Sequence, residues 1–446
     1  MSARVSGWMA ALLVGLAVPA WAQTTPVPLS LDDAIARAVA TAPRLAEARA
    51  RIAAADATRA SRDTLDGPTV TAAAAYERTN HVPEFGVAKT GGGITVLFPD
   101  IPNNYRARAE VSLPLYTSGR LDALVASATA DQHAAVADRD AVAGDVRLDV
   151  ARAYWVLVTA REGVRVVQQA LDRADAWVGD VKSRMDAGFL APNDYQSALA
   201  QRAREAVQLI EAKNAAALAE AELGRLTGLG PDARINPTTL LDTPTAEAAV
   251  LATQSIAELV ARAQHGRTER DGLQARAASL DATGAAAADA AKPQVGLIGG
   301  VLPASPNQMF VPRTDAWKTS WDVSVNVSWQ LWDGGRARAD QAAARAQADA
   351  WRRRLDDFDA ILAVDVRQRV LDIQASTAAL AASGEAVSAA AEAHRVVESR
   401  FQAGVATSTE VLDAQVALLE AELERAQITA RLRLGEARLV RTVGGR

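Results

Sequence analysis

The segment Trp321-Asp322-Val323-Ser324-Val325-Asn326-Val327-Ser328-Trp329-Gln330-Leu331 alternates apolar and polar residues without a fault. A second stretch, Tyr105-Arg106-Ala107-Arg108-Ala109-Glu110-Val111-Ser112-Leu113, does the same. Strict alternation describes a strand with one apolar and one polar face. In a soluble sandwich the polar face meets water; in a membrane barrel it lines the lumen and the apolar face meets lipid. Alternation by itself leaves both open. Length points to the barrel, because about 9–11 tilted residues span a bilayer. Aromatics at the segment ends (Tyr76, Tyr105, Tyr116, Trp317, Trp321 and Trp332) suit the interfacial girdles of outer-membrane barrels.

Working outward, the two strands prove to be copies. Leu115-Tyr116-Thr117-Ser118-Gly119-Arg120 returns as Leu331-Trp332-Asp333-Gly334-Gly335-Arg336, a shift of 216. The same shift carries Ser183-Arg184-Met185-Asp186-Ala187-Gly188 onto Ser399-Arg400-Phe401-Gln402-Ala403-Gly404, and Gly228 onto Gly444. Upstream the shift is 225, matching Ala36-Arg37-Ala38 to Ala261-Arg262-Ala263 and Pro68 to Pro293. The first copy therefore carries nine extra residues (225 minus 216), which fall in the Gly/Pro/Asn-rich stretch from His81 to Asn104, read as a loop. A repeat in an ungapped register this long is one structural unit used twice.

Each copy reads helix, strand, strand, long helix, turn, helix. In the first, residues 23–230, Ser30 caps a helix from Leu31 to about Leu65, ended by Gly67-Pro68. Strands at about 69–79 and 105–116 lead into a long helix at 120–185 and a further helix at 192–226. The second copy, residues 255–446, places strands at about 294–302 and 319–332, a long helix at 336–401 and a helix at 408–441. A linker or equatorial segment, 231–254, joins them. Along the first long helix Val146, Val150, Ala153, Leu157, Ala160, Val164, Val167, Leu171, Ala174, Val178, Val181 and Met185 recur at alternating spacings of four and three. That is a heptad seam. At 1.5 Å per residue, such a helix is about 100 Å long.

Composition agrees. Counting the 446 residues gives 101 alanines, against 4% aromatics, so helices meet at close range in a thin wall. The chain has no cysteine, which excludes disulfides, thiolate metal sites and thiol catalysis. Its four histidines are scattered, the net charge is −5, and nothing suggests nucleic acid. No Ser/His/Asp constellation or phosphate loop emerges; Gly91-Gly92-Gly93 has no helix placed to hold phosphate. No cofactor and no catalytic activity are expected. Residues 1–22 read as a cleavable signal peptide, with Arg4, the apolar run Met9 to Val18, and Ala20-Trp21-Ala22 before Gln23. Loss of Arg4 leaves 47 basic against 53 acidic residues, a net charge of −6. No cysteine follows the cleavage site, so no lipid anchor is expected. No later run offers the roughly 18 uncharged apolar residues of a membrane helix. If the chain enters a membrane, it enters as strands.

Four strands cannot close a barrel, and an open edge is not tolerated in lipid. The smallest common barrels have about eight strands, so subunits must share one; three copies give twelve. Here the residues resemble a known family. The start Leu29-Ser30-Leu31-Asp32-Asp33-Ala34-Ile35, the paired Leu-aromatic-x-x-Gly-Arg strand exits and the paired x-x-Ala-Gly turns are similar to those of the outer membrane factors, the TolC-type exit ducts of Gram-negative bacteria.

The resemblance implies a homotrimer, a twelve-stranded barrel in outer-membrane lipid, and a periplasmic α-helical barrel. It also implies a tip that meets a periplasmic adaptor protein driven by an inner-membrane transporter. The turns Gly188, Phe189, Leu190 and Gly404, Val405, Ala406, Thr407 would then be the adaptor-docking tip. Glu410 and Asp413, three apart on one helix face, with Asp194, fall where the family rings its aperture with acid; Thr407-x-x-Glu410 also reads as a capping box. The family's type member latches its tip with a Tyr and an Arg bonded to an Asp. Asp194 matches the Asp, but Phe401 and Ala406 stand in place of the other two, so that latch cannot form. The function implied is an efflux duct for small molecules such as drugs, metabolites or metal ions. The alternative is the outer-membrane component of type I protein secretion. A structural coiled coil leaves the strands unexplained, and an uptake porin leaves the helices unexplained.

Overall fold

The computed structural model describes residues 26–241, 246–251 and 253–445. The expected signal peptide lies outside these residues. In the first copy β1 (Val27–Leu29) is followed by α1 (Leu31–Thr41), α2 (Pro43–Asp63), β2 (Thr69–Arg78), β3 (Phe85–Ala88), β4 (Ile94–Phe98), β5 (Asn103–Tyr116), α3 (Arg120–Asp186) and α4 (Pro192–Leu226). The joining segment holds β6 (Ile235–Pro237) and α5 (Ala246–Leu251). The second copy runs α6 (Ile256–Gly266), α7 (Thr268–Asp289), β7 (Gln294–Ser305), β8 (Lys318–Ser328), α8 (Arg336–Gln402) and α9 (Ser408–Thr442).

The helix expected from Leu31 to Leu65 is two helices. Ser30 caps the first by accepting the Asp33 backbone N–H at 3.1 Å. Ala42 then leaves the helical region (φ −60°, ψ 123°) because it precedes Pro43, whose ring excludes the α conformation there. The second copy breaks at the corresponding place, Arg267, without a proline.

The His81–Asn104 stretch is also more than a loop. It contains the antiparallel hairpin β3–β4, whose Phe85 and Phe98 rings stand 6.2 Å apart. Arg313, between β7 and β8, donates its backbone N–H to the Leu97 carbonyl at 3.0 Å and lays its guanidinium over Phe98.

Four strands form one antiparallel sheet in the order β2-β5-β7-β8. The register keeps the alternation in phase: Ala72, Ala109, Val301 and Trp321 share a row, as do Val70, Val111, Gly299 and Val323. The opposite face carries Arg106, Arg108, Glu110, Asp322, Ser324 and Asn326. There Arg108 grips Asp322 through both terminal nitrogens at 3.0 Å and Glu110 at 2.8 Å. It reaches across β7 because position 300 is glycine; a Cβ there would lie 3.0 Å from Nη2. β8 stops at Ser328, short of the expected 332, because its partner β7 begins at Gln294, after Pro293, which has no N–H to extend the ladder.

The helices pack side by side in a single layer. α3 and α8 run its full height. In the half nearer the sheet, α3 lies between α2 and α7, with α8 beyond α7; in the half nearer the turns, α3 lies between α4 and α9, with α8 beyond α9. The largest core sits at mid-height around Tyr154 and Trp155 with Leu29, Val150, Leu157, Leu223 and Ile235. There Tyr154 Oη donates to the Leu29 carbonyl at 3.1 Å and accepts the Thr239 N–H at 2.9 Å. It thereby ties the parallel pair β1–β6 to α3.

Candidate functional site: the helical tip and the exposed sheet

Both helical hairpins turn in the same way, as the 216-residue repeat requires. In the first, Gly188 (φ 81°) donates to the Met185 carbonyl at 2.9 Å and Phe189 donates to Arg184 at 2.9 Å. In the second, Gly404 (φ 76°) donates to Phe401 at 3.0 Å and Val405 to Arg400 at 2.9 Å. This pairing of six-to-one and five-to-two bonds ends a helix on a left-handed residue, where a side chain is strained and glycine is not. The return helices start differently. Ala191 and Pro192 start α4 without a side-chain cap, whereas Thr407 caps α9.

That cap engages Glu410. Thr407 accepts the Glu410 N–H at 3.3 Å, while Glu410 Oε2 accepts the Thr407 N–H at 2.6 Å and its hydroxyl at 3.2 Å. The Thr407 N–H, and secondarily its hydroxyl, hold the Glu410 carboxyl below the usual carboxylate range. Glu410 is still exposed, so one residue is both cap and solvent-facing charge. Asp413 is exposed one turn on, and Asp194 is half-buried in the first turn of α4, at the repeat position of Glu410. All three carboxylates lie within two turns of the chain's tip, but on two different hairpins. Phe189 and Val405 present bare apolar side chains there, 82% and 63% exposed. Leu190 and Ala406 instead turn inward against the cluster that holds Phe401.

Phe401 itself is buried against Trp177. Sequence reasoning missed Trp177. The available signal was a second apolar row on α3, Val166, Ala170 and Trp177, off the seam already traced and buried with it.

At the far end, the in-phase apolar face of the sheet is open: Val70, Val111, Val301, Trp321, Val323, Val325 and Val327 are all exposed. Tyr76, Tyr105 and Trp317 stack at one rim, with centroids 5.0 and 6.2 Å apart, and Tyr76 Oη donates to Asn103 at 3.0 Å. Tyr116 and Trp332 stand exposed at the other. Trp321 lies on the open face within the strand rather than at its end. Among the described residues, strands β2 and β8 each have one neighbour, so both sheet edges are free. Among the described residues, no helix is long and apolar enough to cross a membrane, and no three metal-ligating side chains come together.

Comparison with known proteins agrees with this architecture. A family profile described as outer membrane efflux protein matches residues 34–229 and 263–445, the two copies in turn. No curated protein matches. Among solved structures, the outer-membrane channel OprN superposes with a TM-score of 0.77 at 21% identity, over 93% of this chain and 90% of that one. VceC from Vibrio cholerae gives 0.77 at 20% identity, over 93% and 96%. The open state of the Neisseria gonorrhoeae channel MtrE gives 0.75 at 18% identity, over 93% and 89%. At these identities the structures speak to fold, and the family profile speaks to membership. The chain belongs to the outer membrane efflux protein family, whose members are passive channels rather than enzymes.

Proposed function

We propose that this chain is the outer-membrane exit duct of a tripartite efflux system. Three copies pass small molecules from periplasm to exterior when docked to an adaptor and an inner-membrane transporter. One observation carries the reading: a four-stranded sheet that is apolar on one face, charged on the other and free at both edges. Lipid accepts the apolar face but not the edges, whose unpaired N–H and C=O groups would each cost several kcal/mol, in rough terms. Pairing β8 of one copy with β2 of the next satisfies every edge, and three copies give twelve strands. The charged face then lines a watery lumen. Residues 1–22 serve as the export signal, and no lipid is attached.

In this reading the tip turns Gly188–Leu190 and Gly404–Thr407 are the adaptor-docking surface, with Phe189 and Val405 as its apolar contacts. Glu410, Asp413 and Asp194 from three copies ring the periplasmic aperture, favouring cations over anions. The Thr407 N–H lowers the Glu410 carboxyl and so favours its charged form.

The test is a planar-bilayer recording of the purified trimer. The parent should be cation-selective and blocked by multivalent cations, and Glu410→Ala with Asp413→Ala should weaken both properties. Unchanged selectivity removes the acidic ring. Absence of heat-resistant trimers and of any conductance removes the duct.

A further inference from the structure

The polar face of the four-stranded sheet carries its charge unevenly. At the end nearer the β3–β4 hairpin, Arg106 and Lys318 share a row with Ala304. Toward the helices, Thr69, Ser112, Ile298 and Ser324 form a row without charge. Between these lies a row of Thr71, Glu110, Gly300 and Asp322, in which two carboxylates flank a glycine.

Arg108 fills the gap between them. It reaches along the wall over Gly300, donating Nε to Glu110 at 2.8 Å and both terminal nitrogens to Asp322 at 3.0 Å. A Cβ at position 300 would lie 3.0 Å from Nη2 and 3.1 Å from Cζ, so glycine lets the guanidinium lie flat instead of projecting. The planar fork then matches the Asp322 carboxylate geometrically. The side chains of Arg108, Glu110 and Asp322 are 34%, 31% and 45% exposed, so their field acts on solvent. A guanidinium stays protonated in proteins. Each chain therefore sets one positive group against two carboxylates at a single level.

We infer that Arg108 is a specificity-determining residue of the barrel, halving the charge of a carboxylate ring near the middle of its wall. The inference rests on the duct reading above, in which three copies bring these groups to one level around the lumen. Rings of carboxylates favour cations, but conduction also requires that the passing ion be released. Unopposed, the carboxylates would hold a cation; opposed by Arg108, they attract it and let it go. The cargo suited to this wall is a cationic or zwitterionic small molecule. This ring lies at the opposite end of the long helices from the acids of the tip, and acts on cargo that has already passed them.

The chain has no cysteine, so a single thiol reports the potential where it is placed. Ser324→Cys puts one on the polar face, in the row beside Asp322 and away from Arg106 and Lys318. Purified trimers are treated with two methanethiosulfonates, one carrying a quaternary ammonium and one a sulfonate. At about 10 mM salt the screening length is about 30 Å, so the ring is felt at the thiol. Relative to a free thiol, the cation should react several-fold faster than the anion. Adding Arg108→Gln should raise that ratio several-fold, whereas Arg108→Lys should keep it. Asp322→Asn should bring it toward one. Arg108→Gln combined with Asp322→Asn restores the parental net charge and should restore the ratio, so the series still decides if Arg108→Gln alone does not assemble. In about 1 M salt, with screening at about 3 Å, the differences should collapse. A parental ratio near one, ratios that ignore these substitutions, or differences that survive high salt would each overturn the inference. A thiol that neither reagent reaches would mean that the polar face lines no water, which removes the duct reading itself.

Discussion

Helices α3 and α8 are copies of one another, each 67 residues long and displaced by 216 positions, yet they live in different surroundings. Eighteen residues of α3 are buried against six of α8, so similar sequence patterns serve different ends. α3 has neighbours on both sides along its whole length, α2 and α7 above, α4 and α9 below. α8 has them on one side only, α7 above and α9 below. Its free side still carries Ile361, Val364 and Leu371, and the free side of α4 carries Val207, Ile210 and Leu218. A duplicated unit packed in a single layer buries its inner pair by itself and leaves one flank of each outer helix for another copy. The difference between α3 and α8 is thus what the proposed trimer would leave on a single chain.

The largest effect is expected on the buried side of α3. Leu157 of α3 is fully buried, and its replacement by Ala should cost about 2–5 kcal/mol, read as a large drop in the thermal midpoint. A drop no larger than that of an exposed flank residue would mean that α3 is not the internal helix.

The flank side gives a smaller but more specific effect. Ile210→Ser on α4 and Leu371→Ser on α8 should leave the fold of the single chain within about 0.5 kcal/mol, as exposed substitutions usually do. They should nevertheless lower the fraction of heat-resistant trimers on a gel. Trimers of parental yield would show that these flanks do not form the seam.

The smallest expected effect concerns a charge inside α4. Glu205 is 2% exposed; Gln201 Nε2 donates to its Oε1 at 3.0 Å, and its Oε2 is buried without a partner among the described residues. Burial pushes the Glu205 carboxyl above its ordinary value of 4.5. The folded chain then binds the proton more tightly than the unfolded one, so stability is greatest in acid. It declines as pH rises from the ordinary value through the raised one. Glu205→Gln should flatten that slope and raise the thermal midpoint at neutral pH. A midpoint that falls, or a slope that persists, would place the pH dependence elsewhere.

Much of this was legible from sequence where a periodicity repeats over a distance longer than chance allows. The alternation around Trp321 and Tyr105 marked the strands, and the heptads from Val146 to Met185 marked the long helix. The 216-residue shift marked the twin turns at Gly188 and Gly404. Local chemistry was legible too, as in the Thr407–Glu410 cap. Less visible were features whose signal is short or whose partner is distant. The break at Ala42 is marked by one proline, and its counterpart at Arg267 by none. The β3–β4 hairpin is brief, and Trp177 announces a second buried face only once Phe401 is known to touch it. Asp194 and Glu410 occupy equivalent repeat positions, but the ring proposed for them would need three chains together.

By itself the sequence determined the elements and their duplication, because hydrophobic period, caps and glycine turns act within a few residues of one another. Only the tertiary structure decided which copy of the long helix lies inside the layer and which of the two apolar rows on α3 meets α8. It also decided that an aromatic pair, rather than a polar latch, joins the two hairpins. Those choices depend on contacts between residues more than two hundred positions apart, and no local pattern encodes them.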